Sequence, residues 1–228
     1  IRIYKRVMFP SKTSIVSGKP INSNYALGMS VNQYVTFDDT DALAFSASPF
    51  SVALWAKIDT ASTRQGLVLH RDGASVGWRI SCQANGLGLV STYSITGGAD
   101  ATTANSTTRI DDGQWHHIVG TWTTATGVWV TQIYIDSVLE DEDAGSHAGT
   151  IQHGIDINLG RDSLSGHYLD GSMDEVSFHS KVLNLAEVGF LYGHGTPETS
   201  GDARELSSAS ANLVTYWRLE EGSGASTA

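Results

Sequence analysis

The sequence predicts an all-β fold, a two-sheet antiparallel jelly-roll sandwich with one short helix near 184–192. Three observations carry this. Short runs rich in Val, Ile, Thr, Tyr and Trp recur every roughly 8 to 14 residues with Gly, Asn or Asp between them, the rhythm of a sandwich. Within 112–123, DGQWHHIVGTWT, a turn leads into a strand whose alternation sends Trp115, His117, Val119 and Thr121 to one face and His116, Ile118 and Trp122 to the other. Neither face is simply polar, so that strand belongs between two layers. Finally, 40% hydrophobic content is enough for a core, and 24 glycines with four prolines suit tight turns between short strands.

Residues 1–24 alternate basic and apolar positions in RIYKRVMF and then loosen around two prolines. They read either as an arm that docks on a partner through Arg2, Tyr4, Lys5 and Arg6 or as an edge strand followed by a loop. From residue 25 the strands come thickly: YALGM, QYVTF, PFSVALWAKI, GLVLHR, VGWRISCQ, LGLVSTY, TTRI, WHHIVGTWT, WVTQIYIDSVL, IDINLGR and MDEVSFH. The helix follows in LNLAEVGFLYGHG, where Leu183, Ala186, Val188 and Leu191 recur near helical spacing. Asn184 is its candidate N-cap, Glu187 completes a capping box and Gly193 stops it. Residues 194–211, rich in Gly, Ser, Thr, Pro and Ala, read as an exposed loop. The last apolar run, from Leu213, is expected to return as a strand with Trp217 buried, or to begin a following repeat. The expected organisation is an arm over 1–24, the jelly roll over 25–193, and a loop and C-terminal strand over 194–228 that complete or extend it.

A net charge of −10 with only 14 Lys and Arg argues against nucleic acid, whose binding needs clustered cations, and against anionic membrane surfaces. No stretch approaches the ~20 apolar residues of a membrane span, so no membrane insertion is expected. Cys82 is the single cysteine and cannot pair within the chain. The chain opens at Ile1 without a basic and hydrophobic leader, which leaves the compartment open.

Four ordered blocks resemble the laminin-G-like (concanavalin A-like lectin/glucanase) jelly-roll family. They are YVTF followed by PFSVALWAKI, DGQWHHIVGTW, IYIDSVL with Asp136-Ser137 where an Asp-Gly turn is usual, and LGR followed by LDGSMDEV and LNLAEV. Together they span about residues 25–192. The tail beginning GHGTPETSG is similar to the ends of such domains in tailed-bacteriophage structural proteins. The resemblance implies a non-catalytic recognition module. Its expected setting is a virion surface, as a capsid decoration or tail-associated protein docked on a viral capsid or tail protein, with homo-oligomerisation open. The alternative is a carbohydrate-binding domain on a bacterial cell surface or outside the cell, with a cell-surface glycan as partner. The resemblance also implies calcium at one rim, with Asp174 as the matching position and Asp170 as its neighbour, although the Gly-rich Asn/Asp turn of related domains is reduced here to polar residues around Asn22 to Asn24. The competing reading is that Asp174 bonds backbone amides of the adjoining turn.

For a glycan, the candidate exposed aromatics are Trp78, Trp129, Tyr93 and Tyr168, with Arg79, Asn85 and Asp162 nearby in sequence. Each has a competing reading as core. The candidate carboxylates for glycoside hydrolysis are Glu140-Asp141-Glu142-Asp143. Retaining glycosidases need two carboxyls about 5 to 5.5 Å apart, and glucanases of this fold use Glu-x-Asp-x-Glu on one strand face. This run lacks the acid between its glutamates and reads as a solvated turn after a strand ending at Leu139. His116 and His117 point to opposite faces and cannot chelate one ion together.

Overall fold

The computed structural model describes residues 26–30, 32–37, 43, 45, 48–71, 77–93, 102–125, 128–146, 156–163, 166–206 and 212–219. The arm with Arg2, Tyr4, Lys5 and Arg6 lies outside them, as do Asn22 to Asn24. Two antiparallel sheets face each other. The larger contains β1 (Leu27–Met29), β14 (Gly171–His179), β3 (Phe50–Ile58), β8 (Trp115–Ala125), β9 (Val128–Ile135) and β10 (Val138–Ser146) in that spatial order, with β15 (Leu213–Trp217) also pairing β14. The smaller runs β2 (Val35–Phe37), β11 (Ile157–Leu159), β4 (Gln65–Arg71), β5 (Gly77–Cys82), β6 (Leu87–Tyr93) and β7 (Thr103–Arg109). A hairpin of β12 (Arg161–Ser163) and β13 (Gly166–Tyr168) crosses beside β4. There Gly66 is obligatory, because a Cβ would fall 2.0 Å from the Arg161 backbone.

Alternation sorts each strand between layers. On β3, Phe50, Val52, Leu54, Ala56 and Ile58 enter the core between the sheets, while Ala53 joins a second cluster on the outer face. On β8, Ile118 and Trp122 point inward and Val119 outward. Both faces of this strand are therefore covered, as its sequence predicts. The inner core centres on aromatic rings: Phe45 and Trp122 both stack on Phe50, and Trp78 lies 5.2 Å from Trp122. Trp217 arrives on β15 to stack on Phe37 at 3.9 Å, so the C-terminal run completes this sandwich.

The outer layer is α1 (Leu185–Tyr192) with two 3-10 turns, Pro197–Thr199 and Ala203–Glu205. Asn184 caps the helix: its side chain accepts from Glu187 N, and Glu187 accepts from Asn184 N, satisfying two end amides reciprocally. Leu183, Val188 and Leu191 pack on Ala53 and Val119. The expectation of an exposed loop over 194–211 is corrected in part. Ala203 and Leu206 are buried in this same cluster and Pro197 is also buried, because short 3-10 turns present their apolar residues inward despite the polar composition. No helix among the described residues is long and apolar enough to cross a membrane.

The acidic run is also corrected. Glu140, Asp141, Glu142 and Asp143 form part of edge strand β10 rather than a turn. β7 is the edge of the opposite sheet, and its outward amides would otherwise lack ladder partners. Asp143 Oδ2 accepts from Thr103 N at 2.7 Å, Asp141 Oδ2 from Asn105 N at 2.8 Å, and Glu140 Oε2 from Thr107 N at 2.7 Å and Thr108 N at 2.9 Å. Side-chain carboxylates thus close the seam where two sheet edges meet. A bulge between Leu139 and Asp141 turns Glu140 to the same side.

Candidate functional site

The expected aromatic positions part company. Trp78 has no solvent exposure and Trp129 only 4%, because both occupy inward positions of their strands and pack in the core between the sheets. Neither presents a ring face to a ligand, and this corrects their candidacy. Tyr168 is half-buried at the end of β13, where its backbone pairs with Arg161. Its ring lies 6.1 Å from Tyr34, just before β2, and the Arg161 guanidinium sits 3.8 Å over the Tyr34 ring.

Arg161 is fixed from below. Its Nε donates to Asn158 Oδ1 at 3.1 Å, and that oxygen also accepts from Thr36 Oγ1 at 2.9 Å. Two half-exposed rings are thereby held over a planar cation and an amide that are themselves buried, Arg161 9% and Asn158 2% exposed. The arrangement suits a polyhydroxylated ligand, with half-exposed tyrosine rings for its C–H surface and their hydroxyls for its polar groups. Tyr34 and Arg161 were missed by the sequence reading; the only local hint was an Arg following Gly160 in LGR.

A second polar cluster lies on the same sheet. Asp162 accepts both contacts from Arg79 Nη1, at 3.0 and 3.1 Å, and one from Arg64 at 3.2 Å. Tyr93 accepts from Arg79 Nη2 at 2.7 Å, and the Arg71 guanidinium lies 4.0 Å from the Tyr93 ring centre. Arg79 and Asp162 are buried, so this network holds the β12 crossing in place rather than facing solvent.

The calcium expectation does not fit. Asp174 lies inside β14 opposite Trp55, only 2% exposed, and its Oδ1 accepts from Glu175 N of the same strand at 2.9 Å. Asp170 is exposed just before the strand, four residues away, so the two Cα atoms stand about 13 Å apart along an extended chain. Calcium oxygens lie about 2.3–2.6 Å from the ion, and these two side chains cannot share one shell. Among the described residues no group of three His, Cys, Asp or Glu is placed to hold a metal.

The paired histidines separate as alternation requires. His116 Nδ1 lies 2.8 Å from Asp136 Oδ2 and its Nε2 3.1 Å from Asp112 Oδ1, bridging two turns. Burial opposes its protonation, but hydrogen bonds and charge from Asp136 and Asp112 prevail and raise its pKa above the ordinary value. His117 is wholly enclosed beside Trp55, and burial drives it down to about 3, keeping it neutral. The carboxylates tested for catalysis are committed elsewhere: Glu140 to β7, Glu142 to Gln132 Nε2 at 2.6 Å.

Sandwich, covered outer face and surface aromatic cluster define a lectin-like module. Residues 29–189 match the concanavalin A-like lectin/glucanases superfamily, and the chain belongs to it. No curated protein matches. Among similar solved structures is a Bacteroides ovatus protein provisionally described as carbohydrate-binding, with a TM-score of 0.59 and 17% identity over 93% of this chain and 58% of that one. The binding domain of botulinum neurotoxin serotype G gives 0.56 and 15% over 73% of this chain and 41% of its own. That of botulinum neurotoxin DC, in complex with SialylT, gives 0.53 and 14% over 70% and 39%. The chain thus spans between about two fifths and three fifths of these relatives' lengths, and at such identities the likeness is one of fold.

Proposed function

We propose that this domain is a non-catalytic carbohydrate-binding module that recognises a cell-surface glycan at the cluster of Tyr34, Tyr168 and Arg161. The observation that carries the reading is that pair of half-exposed tyrosine rings with a guanidinium fixed between strand ends. The descriptions of two structural relatives, one as carbohydrate-binding and one in complex with SialylT, support it at the level of fold. The engagement of Glu140 and Glu142 in structural contacts supports the absence of glycoside hydrolysis. A glycan array with wild type, Tyr168→Ala and Tyr34→Ala tests it: discrete hits in wild type, weakened tenfold or more in each variant, are expected. Hits unchanged in both variants would refute the site.

A second reading places the same module on a virion surface, as a bacteriophage capsid decoration or tail-associated protein. Its support is the cluster of Arg2, Lys5 and Arg6 beside Tyr4 in a chain of net charge −10. Deletion of 1–20 abolishes binding to a viral capsid or tail protein if this holds, and leaves glycan binding intact under the first reading.

A further inference from the structure

On the face of the larger sheet turned away from the smaller one, a cleft opens beneath α1. It holds about 190 Å³ of empty space, partly open to solvent. Trp55 and His117 form its floor from the paired strands β3 and β8, with Ser177 and Tyr216 from β14 and β15 at one side. Leu191 and Gly201 border it from the outer layer. Trp55 is 1% exposed and His117 2%. Yet Trp55 Nε1, His117 Nδ1 and Tyr216 Oη find no hydrogen-bond partner among the described residues. Buried polar atoms left so are uncommon, and three on residues lining one cleft point to a ligand group that satisfies them.

Glu175 adds charge. It sits in the bulge of β14 with φ of +51°, a conformation non-glycine residues rarely adopt and one that recurs at functional sites. Its carboxylate borders the cleft, and Arg218 Nε lies 3.9 Å from Oε1. A carboxylate has about four acceptor positions, so it can take a further donor beyond such contacts.

The chemistry wanted is specific. An indole N–H only donates, a carboxylate only accepts, and Ala53 with Leu191 offers apolar surface. A cation is disfavoured by the indole N–H, and an anion by Glu175. A neutral amide carrying a methyl group meets all three demands. The enclosed part of the cleft is small, so only a substituent enters while the rest of its carrier stays outside.

We propose that this cleft binds the acetamido group of an N-acetylated amino sugar, its carbonyl accepting from Trp55 Nε1–H and the Tyr216 hydroxyl and its N–H donating to Glu175. The choice of a sugar as carrier rests on the glycan-binding reading, but the site is separate from Tyr34 and Tyr168. Neutral His117 adds a ring nitrogen that either donates or accepts, according to tautomer.

The test is titration of the ¹⁵N-labelled full chain, following the assigned Trp55 indole N–H resonance, with acetamide, N-acetylglucosamine and glucose. Acetamide and N-acetylglucosamine should move it saturably, N-acetylglucosamine at lower concentration, and glucose should not. Tyr216→Phe should weaken both by about three- to tenfold, the size of one net hydrogen bond. Absence of a shift with N-acetylglucosamine, an equal shift with glucose, or an unchanged affinity in Tyr216→Phe would overturn the assignment. An array on which Tyr168→Ala changes nothing, with the Trp55 titration intact, refutes the tyrosine site and leaves this one standing.

Discussion

Replacing Glu140 by alanine tests the carboxylate seam. The side chain accepts from the amides of Thr107 and Thr108, and from both hydroxyls, at 3.2 Å for Thr107 and 2.5 Å for Thr108. Hydrogen bonds to a charged group are worth about 1.5–3 kcal/mol net when well enclosed. Thr107 is exposed, so water replaces part of the loss and a total of about 1–2 kcal/mol is expected. Burial pushes the Glu140 carboxyl up, but the Thr108 and Thr107 donors outweigh it and hold the pKa below the ordinary carboxylate value. Because the folded value is the lower one, this stabilisation is present above the unfolded pKa and lost as pH falls through the folded one. Urea unfolding at pH 7 should show a lowered midpoint with unchanged slope, and the gap from wild type should shrink below about pH 4. The opened β7 edge should also increase self-association. A Glu140→Ala midpoint equal to wild type at pH 7, or a gap that grows on acidification, refutes the seam.

Three further outcomes follow from the same structure. The His116 bridge stabilises below the unfolded histidine pKa and weakens as pH rises through the raised folded value, so His116→Ala should cost more stability at pH 5.5 than at pH 8.5 by urea titration. Asp136 and Ser137 both have positive φ, 49° and 67°, the type I′ geometry of a two-residue hairpin loop, so Ser137→Gly should stabilise by about 1 kcal/mol and raise the melting temperature by about 2–4 °C. Cys82 is buried and its thiol is pushed up to about 12, chiefly by burial, so a thiol reagent should label it only on unfolding.

Much of the fold was legible because periodicity reports burial. The alternation of 115–122 foretold a strand covered on both faces, and Asn184, Glu187 and Gly193 marked the helix by the local chemistry of its ends. The acidic run at 140–143 was not legible as a strand. Glu140, Asp141 and Asp143 point to another sheet's amides rather than to a core, and no apolar alternation records that. The aromatics show the same limit. Alternation places Trp78 and Trp129 on one face or the other of a strand, but which face meets the opposite sheet depends on pairing with distant segments. The cluster of Tyr34, Arg161 and Tyr168 joins strand ends far apart in the chain and exists only after folding.

The central claim is most directly tested by measuring glycan binding of wild type and Tyr168→Ala side by side, with matched unfolding curves. The account predicts discrete glycan hits in wild type that fall at least tenfold in the variant at unchanged stability. Silence of the wild type across the array, or equal binding by a folded Tyr168→Ala, would contradict it.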